Sequence, residues 1–332
     1  LSSSGLVLPG RGKHRYEQMI AFAQKLIEID KTTGFKVSSR GWCYQLEGFG
    51  LINKGQFDLI QNLINECRKD GLLPIDFVAE EEARKFEGVE NPETQTPSEY
   101  LASFIEAVMR AENYYTPDWW VGEKFYIQIL VEKIDLLTLF EPICKEYHIP
   151  IATSKGWSSI LQRAEIAERF KEAEQKGLKP VLLYCGDHDP FGLAISDFLL
   201  KNLVDIERGT GWRPDNLIID RFGLNYNFII ENNLSWIDNL VSGTGKQPDT
   251  NNPIVKKYIQ QFGIRKVEAN AIVVRPDAGR KLCRLAIIKF LGSDALERFQ
   301  KKRQAIIDTF QKLREETGVQ HALKEALDTL ER

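Results

Sequence analysis

The chain has 332 residues, more than one hydrophobic core usually organises, with 43% hydrophobic residues, 27% charged residues and a formal net charge of −3. This balance excludes a largely disordered chain, a collagen-like repeat and a disulfide-knotted miniprotein, and it leaves any nucleic-acid contact to local patches. There is no run of eighteen apolar residues, so no membrane span is expected. No apolar leader follows the opening Leu1-Ser2-Ser3-Ser4-Gly5. The five cysteines (43, 67, 144, 185 and 283) make neither a C-x-x-C pair nor a metal-ligand spacing, so free thiols in the cytoplasm are the expectation.

Residues 15–31 place Met19, Ile20, Ala23, Leu26 and Ile27 at helical spacing. Ser38 and Ser39 can cap a second helix running to about Leu46, which Gly48 and Gly50 stop. A third helix is predicted over Lys54–Lys69 with Phe57, Ile60, Leu63, Ile64 and Cys67 inward. The alternation in residues 72–80 (LLPIDFVAE) predicts a strand or wing. Helix, helix, turn, helix, wing is the outline of a winged helix-turn-helix over 13–88; a generic small helical domain has the same periodicity. Between Ala79 and Glu112 nine glutamates stand against Arg84, Lys85 and Arg110, and NPETQTPSE has the composition of a linker, so 89–122 is read as an acidic linker with a connecting helix over 98–112.

From Glu123 the pattern is β/α. Strands are predicted at KFYIQILVEK, HIPIATS, KPVLLYC and DNLIIDRFG, with helices between them at IDLLTLFEPICKEY, SSILQRAEIAERFKEAEQKG and FGLAISDFLLKNL. That alternation predicts a parallel sheet with helices on both faces over 123–275, followed by a helical segment over 276–332. Functional residues collect at the carboxyl ends of such strands. Glu132 ends the first strand, and Asp187 and Asp189 follow the third. Three carboxylates gathered there would repel one another unless a cation offset them, and hard oxygen donors suit Mg²⁺, with Mn²⁺ as a substitute. The plainer alternative is a set of unrelated helix-capping acids, since Asp189-Pro190 has the form of a helix start. His188, between the two aspartates, reads as a solvated spacer.

V-E-K after one strand, S-K-G-W after a second and C-G-D-H-D-P-F-G after a third resemble, in order and spacing, the motifs of the Toprim domain. The version they resemble is that of the type IIB topoisomerase (topoisomerase VI) A subunit and the related meiotic double-strand-break transesterase. The resemblance covers roughly 123–200, and the segment from Gly245 to Val273 looks like the tail of solo, phage- or plasmid-type members. It implies a magnesium site at Glu132, Asp187 and Asp189, a turn closed by Gly192, and a catalytic lysine loop at Lys155-Gly156-Trp157. The family also carries a nucleophilic tyrosine on its winged helix, four residues after an arginine. Arg40-Gly41-Trp42-Cys43-Tyr44 matches that pattern, with Cys43 where the family has a first tyrosine. Arg40 and Tyr44 would share a helix face, and an interior aromatic at Tyr44 fits the spacing equally well.

The resemblance therefore implies a metal-dependent cleaver of duplex DNA, a homodimer in which one subunit's tyrosine meets the other's metal site, and a separate ATPase subunit if strand passage occurs. A hydrolytic Toprim nuclease without tyrosine chemistry and a non-catalytic DNA-binding module are the alternatives. For DNA contact the third helix offers Lys54, Arg68 and Lys69 among amide side chains, which is also the composition of an ordinary solvated face. The loop SGTGKQ (242–247) lacks the leading glycine of a phosphate-binding loop and has Gln247 in place of Ser or Thr, so it is read as a polar loop with Lys246 as a DNA contact.

Overall fold

Residues 5–74, 76–79, 92–154, 160–242 and 245–330 are described by the computed structural model. The chain packs as two units, one of Leu1–Glu81 with Glu123–Leu291 and the other of Glu82–Gly122 with Gly292–Arg332. Residues 13–81 of the expected 13–88 domain thus share a unit with the β/α segment, as does the first helix of the 276–332 segment.

The larger unit opens with three helices, α1 (Arg15–Thr33), α2 (Ser39–Gly48) and α3 (Phe57–Lys69). They bury Phe22, Leu26, Trp42, Leu46, Ile60 and Leu63 against one another. Ser38 caps α2, its hydroxyl accepting from Gly41 N at 3.0 Å, and a 3-10 turn over Lys54–Gln56 leads into α3. The expected wing strand is not formed among the described residues of 72–80. Pro74 has no N–H to give a ladder; Phe77 N donates back to Pro74 O at 3.0 Å, closing a turn. Leu73, Phe77 and Val78 are buried, and Phe77 stacks on Trp42 at 5.0 Å. Leu73, Phe77 and Val78 therefore serve the helical core rather than a sheet. Ile75 and 80–91 lie outside the described residues.

The sheet is four-stranded and parallel, in the order β2-β1-β3-β4, from β1 (Phe125–Val131), β2 (Ile151–Thr153), β3 (Lys179–Cys185) and β4 (Ile218–Gly223). Helices α5 (Ile134–Glu146) and α6 (Ile160–Gln175) connect the first three strands, and α8 (Ile195–Val204) follows a single turn, α7 (Pro190–Leu193). Side chains alternate across the sheet. Leu130, Leu182 and Tyr184 pack with Phe170 of α6, Leu199 and Leu203 of α8, and Trp212. The alternate residues Ile129, Val131, Leu183 and Cys185 are equally buried. They point to the side of α5 and of α12 (Pro276–Leu291), two helices that pack on each other and on the strands. Both faces are covered, which is why the strands read as continuous apolar runs.

The helix predicted over FGLAISDFLLKNL is broken at Ala194 into α7 and α8. Gly192 O, which a continuous helix would pair with the N–H of Ser196, accepts instead from Arg221 Nε at 2.8 Å. The short helices α9 (Glu207–Thr210), α10 (Tyr226–Glu231) and α11 (Pro253–Phe262) complete the unit with a 3-10 helix over Ala269–Val274. All five cysteines are unpaired and buried.

The smaller unit is built from α4 (Pro97–Met109), α13 (Ala295–Thr317) and α14 (Val319–Leu330). Thr96 and Glu99 form a reciprocal cap on α4. Arg314 pairs with Glu112, and Trp119 meets Phe299 at 5.9 Å between ring centroids. Among the described residues no helix is long and apolar enough to cross a membrane.

One contact fixes α2 against the β/α layer. A β-carbon on Gly41 would lie 2.5 Å from Val37 Cγ1 and 2.7 Å from Asp135 Oδ1, so only glycine lets α2 and the start of α5 approach this closely. Gly41→Ala is expected to lower stability by about 1–3 kcal/mol, as overpacking of a filled core does. Urea unfolding of the full chain measures it, and an unchanged midpoint would show that α2 does not dock in this way.

Candidate functional site

The parallel register brings the ends of β1 and β3 side by side, with Val131 opposite Cys185. Glu132 follows Val131 directly and Asp187 follows Cys185 after Gly186, so the sheet delivers two carboxylates to one place. Glu132 Oε2 accepts from Asp187 N at 2.7 Å, and Asp187 Oδ1 accepts from Ala269 N at 2.7 Å. The remaining oxygens meet a single cation: Lys133 Nζ lies 2.8 Å from Glu132 Oε1 and 3.1 Å from Asp187 Oδ2. Asp189 caps α7 through Gly192 N at 2.6 Å. Asp189 performs the helix-start role that its Pro190 suggested, beside the acid pair.

Glycines make this turn compact. A β-carbon on Gly186 would sit 2.6 Å from Glu132 Oε2, and one on Gly192 would sit 2.2 Å from Asp187 O. Arg221 of β4 stitches the turn from beneath, donating to Asp187 O at 2.8 Å and to Gly186 O at 3.3 Å.

Burial pushes the Asp187 carboxyl up to about 7, opposed by Lys133 and assisted by Glu132. Burial acts on Glu132 in the same sense, but Lys133 and the Asp187 N–H outweigh it and hold that carboxyl below its usual value. Lys133 is raised: burial works against its charge, and Asp187 and Glu132 more than offset it. Asp189 is raised by burial despite the hydrogen bond from Gly192. Asp187 therefore holds a proton more readily than an ordinary carboxylate does, and Glu132 less readily.

The chain passes the turn again at 266–268, where His188 and Val267 exchange backbone hydrogen bonds of 2.8 and 3.1 Å. This return places Glu268 and Lys266 beside the acid pair. Glu268 receives Arg40 through Nε at 3.2 Å and Nη2 at 3.3 Å, and it accepts from Tyr44 Oη at 2.8 Å. Arg40 and Tyr44 thus share a face of α2, as their spacing predicts. Tyr44 is only 1% exposed, and its ring meets Phe57 edge-on at 5.1 Å. Burial, followed by the Glu268 charge, raises its phenol further from ionisation.

His188, expected as a solvated spacer, is 1% exposed. Its Nδ1 lies 3.0 Å from Tyr258 Oη, and Phe262 and Trp236 pack on its ring. Burial, with Arg221 nearby, lowers it to about 4. It is a neutral packing residue of the turn.

A cavity of about 1060 Å³ opens over this cluster. Glu132, Lys133, Asp189, Lys266, Glu268 and Arg40 give it charge, while Phe191, Ile195 and Phe198 give it an apolar side. Its volume is at the upper end for small-ligand pockets.

The other candidates are dispersed. Lys54 is drawn in beside Tyr44, with Nζ donating to Trp236 O at 2.9 Å and lying 5.8 Å from the Tyr44 ring. Burial lowers its basicity. Arg68 and Lys69 are at the far end of α3, Arg68 within 3.3 Å of Asn65 Oδ1 and Lys69 exposed. Lys246 is exposed on its loop. Lys155, with Gly156 and Trp157, lies outside the described residues; its neighbour Ser154 lines the cavity.

Sequence reasoning did not single out Lys133, Arg221, Glu268, Asp135 or Asn270 as site residues. Lys133 had a signal, standing next to Glu132 in V-E-K. Glu268 lies in a segment recognisable only as a family-like tail. Among the described residues no three His, Cys, Asp or Glu side chains are grouped so as to hold a metal ion. The donor chemistry nonetheless suits a hard divalent cation: two carboxylates each keep one oxygen on a backbone N–H and turn the other to a cation, at present the Lys133 ammonium. No family model, curated protein or solved structure matches the chain.

Proposed function

We propose that the chain is a metal-dependent, Toprim-type phosphodiesterase acting on duplex DNA, with water as the nucleophile. The observation that carries this reading is the convergence of Glu132 and Asp187 on one cation at the ends of adjacent parallel strands, beneath a cavity that Glu132 lines together with Arg40 and Lys266. The resemblance of V-E-K and D-H-D-P-F-G to Toprim motifs supplies the reaction class.

Glu132 and Asp187, with Asp189 beside them, would hold Mg²⁺ or Mn²⁺. When bound, such an ion stabilises negative charge on the phosphoryl oxygens and lowers the pKa of water. Arg40 and Lys266 attract and orient the phosphodiester. Glu132, kept ionised by its neighbours, serves as a ligand, while the attacking water gives its proton to solvent as its oxygen bonds to phosphorus and the leaving ribose oxygen takes up a proton as its bond breaks. Exposed Lys69 and Lys246, with Arg68, serve as contacts to the DNA backbone. A homodimer, and a separate ATPase subunit if strand passage occurs, belong to the tyrosine reading given next, on the resemblance alone.

The burial of Tyr44 favours water over tyrosine as the nucleophile, because its phenol does not line the cavity. A second reading rests on the 2.8 Å hydrogen bond to Glu268, a carboxylate suitably placed to take the phenolic proton. In it Tyr44 attacks the phosphate and a phosphotyrosyl bond replaces the broken phosphodiester. Tyr44→Phe separates the two. Hydrolysis predicts free DNA ends at a rate within about threefold of wild type and no protein-linked DNA after SDS quenching. Transesterification predicts linked DNA with wild type and none with Tyr44→Phe, at a loss of at least about a thousandfold, near 4 kcal/mol. Binding without cleavage by any form, with Mg²⁺ or Mn²⁺ present, would favour the non-catalytic module.

A further inference from the structure

Lys133 is the residue whose placement the proposed chemistry does not itself require. Each acid of the pair is held independently of it: Glu132 Oε2 by Asp187 N and Asp187 Oδ1 by Ala269 N. The two remaining oxygens, Glu132 Oε1 and Asp187 Oδ2, both face Lys133 Nζ. The ammonium thus occupies the position between two pre-organised carboxylates that a divalent ion would take. Its side chain is 32% exposed and lines the cavity, so it has a path out. A lysine stem has several rotatable bonds, and the free ammonium is well hydrated. Lys133 also precedes α5 in the extended, capping conformation, so its side chain can swing away without unwinding the helix.

We infer that Lys133 is a displaceable internal counter-ion, which holds the acid pair in the metal-free protein and must leave it for a divalent cation to enter. The inference rests on the metal-site reading given above. Two carboxylates this close and this buried repel strongly without a positive charge between them. The chain supplies that charge itself, and metal affinity is set by competition between the ammonium and the ion. A purely structural salt bridge makes the opposite prediction, since its loss would loosen both acids and weaken any binding.

The test is Mn²⁺ titration of the full-length protein at low ionic strength, followed by the loss of the free-ion EPR signal, for wild type, Lys133→Met, Lys133→Gln, Lys133→Arg and Asp187→Asn. Thermal melts with and without Mn²⁺ accompany each titration. The expected result is at least about tenfold tighter Mn²⁺ binding in Lys133→Met and Lys133→Gln, about 1.4 kcal/mol. Their melting temperature falls without Mn²⁺ and recovers more than that of wild type with it. Lys133→Arg, which keeps the charge, gains nothing, and Asp187→Asn loses binding. If wild type binds Mn²⁺ and both neutral variants bind equally or more weakly, the counter-ion role is overturned while the metal site stands. If no form binds Mn²⁺, both fall. Should Lys133→Met fail to fold, the more polar Lys133→Gln decides between the same outcomes.

Discussion

Asp187→Asn is expected to lower the rate of Mg²⁺-dependent DNA cleavage by at least about a thousandfold, close to 4 kcal/mol of transition-state stabilisation. The substitution is close to isosteric. Asparagine keeps an oxygen for Ala269 N, and Lys133 retains Glu132 as a partner. What is lost is the negative charge of the Oδ2 side, which faces the Lys133 ammonium and which the proposed chemistry gives to a metal ion. Supercoiled plasmid, sampled over time with Mg²⁺ or Mn²⁺, gives the rate, and near-UV circular dichroism confirms the fold. Cleavage by Asp187→Asn at the wild-type rate would remove the acid pair from the reaction, whatever the nucleophile.

Asp135→Ala is expected to destabilise the larger unit by about 3 kcal/mol, as stranding buried polar partners does. Asp135 is fully buried. Its carboxylate accepts from the backbone N–H and the hydroxyl of Ser38 and from the Asn270 amide, the Ser38 Oγ contact being 2.6 Å. It thereby joins the cap of α2, the first turn of α5 and the 3-10 helix that follows Glu268. Removing it leaves three donors without their acceptor at the junction that brings Arg40 and Tyr44 to Glu268. Urea unfolding measures the loss, and a change below about 0.5 kcal/mol would show that the junction is held by other contacts.

The same residue fixes a sign in the pH dependence. Burial raises Asp135 above its ordinary 3.8, in spite of the hydrogen bonds from Ser38 and Asn270. Above pH 3.8 the folded chain therefore keeps a proton that the unfolded chain has released. Asp135's contribution to stability falls as pH rises from there through the folded-state value. Asp135→Asn is neutral throughout, so its stability curve lacks that segment. An identical slope in wild type and Asp135→Asn would place the effect on another group.

Much of the fold was legible because its signals are local. Fully buried parallel strands must be apolar on both faces, and KFYIQILV and KPVLLYC say so directly. Ser38, with an apolar periodic run behind it, marks a helix start, and the inward residues of α3 follow from their spacing. The failures were also local signals, overruled by distant partners. Alternation in 72–80 looked like a strand, but Pro74 closes a turn and Phe77 is claimed by Trp42. The helix after Asp189 looked continuous, but Arg221 takes the carbonyl that continuity needs.

For the site, the sequence alone determined which acids stand at the carboxyl ends of which strands, because strand polarity and chain order decide that. The meeting of Glu132 and Asp187 follows from strand order, with β1 beside β3, and only the folded sheet supplies that order. Only tertiary structure decided that Lys133 turns inward to both acids, that Asp189 caps α7, and that Glu268 arrives beside Tyr44 and Arg40 from more than two hundred residues away. Local spacing fixes which residues share a strand end or a helix face, whereas a charge's partner is fixed by whichever segment the core packing brings to it.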